Sequence, residues 1–332
     1  MKTSREQITE FINDMIIEPR KKGLKWSHIT NQTAHLRVGY SGQHLASLVT
    51  GEEGEGSGAR GNDLADGSEV KSCSRVDQLD SCNECKMPVL RTNINCRSCG
   101  SININRKNDS KWLFTIRSES DLETLVNNSH LDRILLILDD YPGFYESNFK
   151  DIRIQVFEIY PKEQRHKRFK EIMTNYYNSI YLEHKKLDPA KTPAPKNFWP
   201  DQYQFYMCNP ILVFSATILN ADSEDAKLVI DRWIEPNVNR TDIDSVIMPA
   251  DILNFDEYKT LLQKAPRSEI EENLASGATY ELFKKYLDEW KDASKLFTGI
   301  NEDLRRYLEL RDTDRIAISK NKYSRRNKKA SI

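Results

Sequence analysis

Apolar residues recur at helical spacing near the start of the chain. Ile8, Phe11, Ile12, Met15 and Ile16 share one face, which predicts an amphipathic helix over residues 4–18. Pro19 and the Arg20-Lys-Lys-Gly23 stretch predict its end. Leu45, Leu48 and Val49 predict a second, shorter helix over 43–50. The period then changes. Asn62-Asp63-Leu64 and Ser68-Glu69-Val70-Lys71 flank Asp66-Gly67, a tight-turn dipeptide, so residues 60–74 predict a β-hairpin. Lys111 to Arg117 predicts a strand, and Ser118 caps a helix running to about Asn127. Arg133-Ile-Leu-Leu-Ile-Leu-Asp139 is a short unbroken apolar run, the pattern of a buried central strand. Ile152 to Tyr160 alternates over its first half and predicts another strand, closed by Pro161.

Lys162 to about Lys186 predicts a long helix. Phe169, Ile172, Met173, Tyr176, Tyr177, Ile180 and Tyr181 make its broad apolar face, and the pattern favours core or dimer contacts over base stacking for these tyrosines. Pro189 to Pro200 is a proline-rich connection and a candidate module boundary. Beyond it, Gln202 to Leu219 predicts one or two strands broken at Asn209-Pro210. Leu228 to Ile234 predicts a further strand, and helices follow over 255–264, 267–275, 279–291 and 301–310. The resulting fold class is α/β (α+β), and no internal repeat is present.

Composition changes this picture little. The 332 residues suggest two domains, or one with large insertions. Charge nearly balances, 49 basic against 50 acidic residues, so the total says nothing about a nucleic-acid partner. Its distribution says more: seven basic and no acidic residues lie between Arg315 and Ile332. Lys162, Arg165, Lys167, Arg168 and Lys170 cluster around a lone Glu163. Such clusters suit phosphate-backbone binding, and equally a solvated tail and helix face. No apolar run reaches membrane-spanning length and no signal-peptide core follows Met1, which predicts an intracellular, cytoplasmic protein without a membrane partner.

Cys82-x2-Cys85-x10-Cys96-x2-Cys99 reads as a four-thiolate site for structural Zn2+, inserted as a module over residues 79–106. Four thiolates leave no open position for water. Two C-x-x-C pairs in a chain with only six cysteines fit neither a redox pair nor a disulfide framework as well. Cys73 and Cys208 are most simply small core residues.

The predicted hairpin brings Asp63 toward Glu69, and strand alternation puts Glu69 and Lys71 on one face with Val70 behind. Two carboxylates can hold a hard cation such as Mg2+ when phosphate and water complete its shell, and an ammonium beside them can orient water. The D…E-x-K arrangement resembles the core of the PD-(D/E)XK nucleases, although Asn62 stands where the motif has proline. The element order, αβββαβ with the zinc module inserted, matches the core of that fold. On longer stretches the chain is similar to the MamI-type type II restriction endonucleases. These are Gly58 to Leu64, Asp66 to Arg75, Asp109 to Glu119, Thr192 to Pro200, Gln204 to Pro210 and Leu310 to Arg315. The resemblance implies a site-specific deoxyribonuclease cutting double-stranded DNA at an interrupted palindrome of the GATNNNNATC kind, giving 5′-phosphate ends, and working as a homodimer. It assigns catalysis to Asp63, Glu69 and Lys71; the strand reading itself adds that Asp63, Glu69 and the Val70 carbonyl, offered at the strand edge, hold magnesium. Ser74, Arg75 and Gln78 are candidate DNA contacts, or part of an exposed loop leading to the zinc module.

The expected division is an N-terminal helical segment (1–40), a nuclease core with a mixed sheet (41–188), a C-terminal β-then-helical module (189–315) and a basic tail (316–332). Two rival functions use the same residues: a non-catalytic zinc-ribbon nucleic-acid-binding protein, in which Glu69 and Lys71 form a surface ion pair, and a junction or repair nuclease that selects its substrate by shape.

Overall fold

A computed structural model describes residues 2–34, 38–56, 62–126, 131–187, 196–198 and 203–311. The basic tail and most of the proline-rich connection lie outside the described residues.

Helix α1 (Arg5–Ile12) begins with a capping box, in which Ser4 and Gln7 satisfy each other's backbone amides. It passes through a π-turn (Asn13–Ile17) into α2 (Glu18–Thr30). The expected stop at Pro19 is therefore corrected. Proline lacks an amide to donate, and here it sits in the first turn after a wide π-turn, where the hydrogen-bond register is already shifted. The stop comes instead at Asn31, in the left-handed region (φ 56°), with its amide on the Ser27 carbonyl (2.9 Å). Helix α3 (Val38–Thr50) starts earlier than its apolar positions suggested.

Strand β1 (Glu69–Ser74) follows. Strands β2 (Asp80–Cys82), β3 (Pro88–Val89) and β4 (Ile104–Asn105) form a small antiparallel sheet of order β3-β2-β4. Then come β5 (Trp112–Phe114), α4 (Glu119–Val126), β6 (Ile134–Asp140), β7 (Ile152–Ile159), α5 (Lys167–Asn175) and, after a second π-turn, α6 (Leu182–Leu187). Strand β8 (Lys196–Phe198), α7 (Tyr203–Met207), β9 (Ile211–Leu219) and β10 (Lys227–Trp233) lead to α8 (Phe255–Lys264), α9 (Arg267–Asn273), α10 (Tyr280–Asp288) and α11 (Glu302–Arg305).

The chain divides into two compact units that interleave in sequence. The first comprises Met1–Trp112, Ser129–Tyr160 and Leu212–Asp242. The second comprises Leu113–Asn128, Pro161–Ile211 and Ile243–Ile332.

The first unit holds a mixed five-stranded sheet of order β1-β6-β7-β9-β10. Strand β1 runs parallel to β6, with Glu69 opposite Ile134 and Lys71 opposite Leu136; β6 is antiparallel to β7, and β9 to β10. Residues Ile134–Leu138 are all buried, as their unbroken apolar run predicted. Trp112 is buried against this layer, its indole N–H on the Ile137 carbonyl (2.7 Å) and its ring edge-on to Phe157. Helix α3 packs on β1, and α1 on α3. The contact is close at Gly42, where a Cβ would come within 1.9 Å of Ser72 Oγ.

Three expected strands are corrected. Residues 62–64 form only an isolated bridge, Leu64 to Gly54. Residues 111–117 shorten to β5, which pairs with β8 outside the main sheet. Of the three consecutive strands expected in one sheet, only β1 joins it. The start of the stretch expected as a strand carries helix α7 (Tyr203–Met207), followed by Asn209 at φ 52°. Tyr203, Gln204, Phe205 and Met207 are all buried, and a helix buried on nearly every side shows no period to read.

The second unit is mostly helical. Its core joins Tyr258, Leu261, Ile270, Phe283, Phe297 and Leu304, with Phe283 edge-on to Phe297 (5.0 Å). The helix expected over 301–310 is the single turn α11, whose buried Arg305 bonds Asn209, Ser245 and the carbonyls of Val246 and Ile300. In the basic cluster, Arg165 pairs with Glu302 and Arg168 with Glu171. Tyr176, Ile180 and Tyr181 are buried, in keeping with a core role.

Candidate active site

The turn before β1 is closed by the Gly67 amide on the Leu64 carbonyl (3.0 Å), with Gly67 at φ 86°, a conformation that suits glycine. Asp66 accepts from the Ser68 amide (3.0 Å) and pairs with Arg133 Nη2 (2.5 Å). Arg133 also holds Ser68 Oγ and the fully buried Glu158, which in turn accepts from Tyr160 and Arg240. The turn is thus tied to β6 and β7 by a charged network. Asp66 is engaged by Ser68 and Arg133.

The acidic pair is Asp63 and Glu69. The Asp63 carboxylate accepts the Val70 amide on Oδ2 (2.8 Å) and Gln43 Nε2 on Oδ1 (2.5 Å). Glu69 and Lys71 are ion-paired on one face of β1, each about one-quarter exposed. Burial pushes the Glu69 carboxyl above its ordinary range; Lys71 pulls it partly back, and the nearby Asp63 charge pushes it up again. Among the described residues β1 is an edge strand paired only with β6, and the Glu69 and Arg75 amides donate to the Arg133 and Asp139 carbonyls. Alternation along the ladder then turns the Val70 backbone toward the unpaired edge, where its amide meets Asp63 and its carbonyl is left for another partner. Two carboxylates and one carbonyl are an oxygen donor set that fits a hard divalent cation. Gln43 escaped the sequence reading. Its only signal was its place at the start of the shorter predicted helix, and the contact with Asp63 needs the fold.

Of the candidate DNA contacts, Arg75 is 3% exposed with Nε on the Ser110 carbonyl (3.2 Å), so the expected exposed position is corrected. Ser74 Oγ accepts the Val76 amide, and Gln78 Oε1 accepts the Asp109 amide. Arg75 and Gln78 tie the link between β1 and the cysteine module to the chain that follows that module, and Ser74 bonds within the link itself.

In that module the four sulfurs of Cys82, Cys85, Cys96 and Cys99 lie within 4.8 Å of one another, with Cys82–Cys99 at 3.6 Å and Cys85–Cys96 at 3.5 Å. A tetrahedron of thiolates with metal–sulfur bonds near 2.3 Å has edges of about 3.8 Å, so the set fits one zinc-sized ion. Each C-x-x-C turn ends on a left-handed residue, Lys86 (φ 60°) and Gly100 (φ 73°), whose amides reach back to the Cys82 and Cys96 carbonyls. Amides of Cys85 and Glu84 lower the Cys82 thiol and those of Cys99 and Ser98 lower the Cys96 thiol, whereas burial and hydrogen bonds to the neighbouring sulfurs raise Cys85 and Cys99. Beneath the thiols, buried Asp80 accepts four hydrogen bonds: Arg91 Nε and Nη2, Arg106 Nη1 and the Lys107 amide, at 2.8–2.9 Å. The Arg91 guanidinium lies 5.5–5.8 Å from the rings of Tyr141, Phe144 and Phe149, clamping the module onto the β6–β7 connection. Met87, Ile94 and Ile102 face solvent.

Among the described residues no helix is long and apolar enough to cross a membrane. No solved structure gives a significant match to the chain. A stretch of 56 residues is 46% identical to the type II restriction enzyme MamI of Microbacterium ammoniaphilum, covering 17% of this chain and 18% of that protein. The family model for the MamI restriction endonuclease matches residues 25–251, which include α3, the Asp63–Lys71 site, the cysteine module and the whole five-stranded sheet. The chain belongs to the MamI restriction endonuclease family.

Proposed function

We propose that this protein is a type II restriction endonuclease that hydrolyses both strands of double-stranded DNA in a magnesium-dependent reaction. The observation that carries the reading is the Asp63–Val70 hydrogen bond. It fastens a carboxylate to the strand that bears Glu69 and Lys71. α3 over β1, and the parallel β1–β6 pair, support a PD-(D/E)XK-type core around that site.

Asp63, Glu69 and the Val70 carbonyl would hold Mg2+, which when bound supplies charge neutralisation at the scissile phosphate and acidifies water. Lys71 has one carboxylate partner, Glu69, in the metal-free arrangement. With Glu69 holding the ion, the Lys71 ammonium would orient the attacking water toward phosphorus. In-line attack forms the new P–O bond as the P–O3′ bond breaks. The water's proton passes to solvent and the 3′-oxygen takes one up, so that a 5′-phosphate and a 3′-hydroxyl remain.

The resemblance to MamI-type enzymes suggests an interrupted palindrome of the form GATNNNNATC. A two-fold dimer suits such a site, each copy cutting one strand. The exposed Met87, Ile94 and Ile102 offer an apolar surface for the second copy. The cysteine module would hold one structural zinc, in keeping with a reducing, cytoplasmic setting. The test is a plasmid digest with and without magnesium, its fragment ends sequenced. Discrete magnesium-dependent fragments sharing one palindrome are expected. Random nicking or branch-specific cutting would point to a repair nuclease, and no cleavage to a binding protein.

A further inference from the structure

We propose that Gln43 is a positioning residue for the catalytic metal, acting through Asp63; the proposal rests on Asp63 being a metal ligand. Both Asp63 oxygens are engaged by donors from different elements. Val70 on β1 supplies a backbone amide to Oδ2, and Gln43 on α3 a side-chain amide to Oδ1. Two such bonds fix the plane of the carboxylate. Each oxygen keeps a second lone pair for an ion.

The chemistry of the donor is as important as its reach. A lysine or arginine in that position would neutralise Asp63 and compete with a cation. A glutamine amide orients the carboxylate and leaves its full negative charge. The carboxylate accepts only, so the Gln43 group facing it is its NH2. The helix is held where this works by its neighbour in sequence. Gly42 lies so close to β1 that a Cβ would reach within 1.9 Å of Ser72 Oγ and 3.2 Å of Ile137 Cδ1. A side chain at 42 would force Ser72 to turn and press on Ser72 Cβ at 3.1 Å, against the close packing of α3 on β1. Groups that orient metal ligands from behind commonly change metal affinity by about 10- to 100-fold when removed.

The test measures Mn2+ binding to the full-length, zinc-loaded protein by the electron paramagnetic resonance of free Mn2+. Gln43→Met keeps the length of the side chain and removes the donor; Gln43→Asn keeps the amide and shortens its reach. Both should weaken Mn2+ binding by about 10- to 100-fold at an unchanged melting temperature, and Asp63→Asn should weaken it further. In cleavage, both Gln43 variants should need correspondingly more Mg2+ and recover most of the wild-type rate at saturation. Wild-type Mn2+ affinity in both variants, with binding lost in Asp63→Asn, would overturn the role of Gln43 and leave the catalytic assignment intact. Wild-type affinity in Asp63→Asn as well would overturn both. If Gln43→Met melts early, Gln43→Asn alone decides by the same two measurements.

Discussion

Asp63 and Asp80 lie 17 positions apart in the same compact unit, and their surroundings differ in one respect that matters. Asp80 is fully buried and accepts four hydrogen bonds, from two arginines and an amide, which fills about all the sites a carboxylate offers. Asp63 is half-buried and, among the described residues, accepts two, both from neutral donors. The saturated carboxylate has nothing left to give a ligand and serves to hold the cysteine module together. The half-satisfied one is oriented and still open. The same contrast runs through the neighbouring groups: Arg91 is enclosed by three aromatic rings, whereas Lys71 and Glu69 pair at a partly exposed strand edge.

The sharpest way to break this contrast is to remove the open carboxylates. Asp63→Ala or Glu69→Ala should lower cleavage by about 1000-fold or more, because metal chemistry supplies several kcal/mol to the reaction barrier. DNA binding, measured in calcium, should stay within a few-fold, and either variant cutting at the wild-type rate would end the assignment. Lys71→Ala should be equally inactive. Lys71→Arg should not restore it, since a guanidinium is wider and stays protonated at neutral pH.

Next in size is the cysteine module. Cys82→Ser should reduce bound zinc from one per chain to none and raise hydrogen exchange across residues 79–106, because binding energy in such sites is folding energy. Protein purified without chelator should contain zinc; its absence by metal analysis would count against the site. Asp80→Ala separates the frame from the metal. It leaves the buried Arg91 without its carboxylate and should cost about 3–5 kcal/mol of stability, read from denaturant unfolding. The four cysteines remain, so zinc content at saturation should be retained.

How much of this was legible beforehand follows from the range of each signal. The cysteine module was readable because its spacing is local: both C-x-x-C turns carry their own backbone geometry in Lys86 and Gly100. Glu69, Lys71 and the turn at Asp66-Gly67 were readable for the same reason. Asp63 was placed correctly beside β1 although residues 62–64 form no strand in the sheet; the Val70 amide, a tertiary contact, does what pairing was expected to do. Gln43 and Gly42 were invisible because their role exists only once α3 lies on β1. Pro19 and the aromatic stretch from Tyr203 misled because tertiary packing and a π-turn overrode local preference.

Arg75→Ala is the test of whether the link after β1 belongs to the frame or to the DNA surface. Buried and bonded to the Ser110 carbonyl, Arg75 should act as frame. Its loss should then cost about 1–3 kcal/mol of stability while leaving affinity for cognate DNA and its salt slope unchanged. A salt slope reduced by about one would show a phosphate contact instead, and relaxed discrimination at a single base pair would show a base contact.

The smallest effect comes from the open site itself, in the absence of metal. Burial raises the Glu69 carboxyl above its usual value of 4.5, despite the help of Lys71. In the folded protein Glu69 therefore holds its proton to a higher pH than in the unfolded chain. Over the interval between the two values the folded state binds more protons, so stability must fall as pH rises through it. Above that interval the penalty is fully present, and below about pH 4.5 it is gone. Glu69→Gln carries no charge and should melt slightly higher than wild type at neutral pH without magnesium, with the difference closing as pH is lowered toward 4. Magnesium should stabilise only the wild type, since the ion turns the cost of a charged Glu69 into binding. A Glu69→Gln variant that melts lower than wild type at pH 7 without metal would mean that the pairing with Lys71 outweighs burial. Glu69 would then belong with Asp80 among the groups that hold the frame.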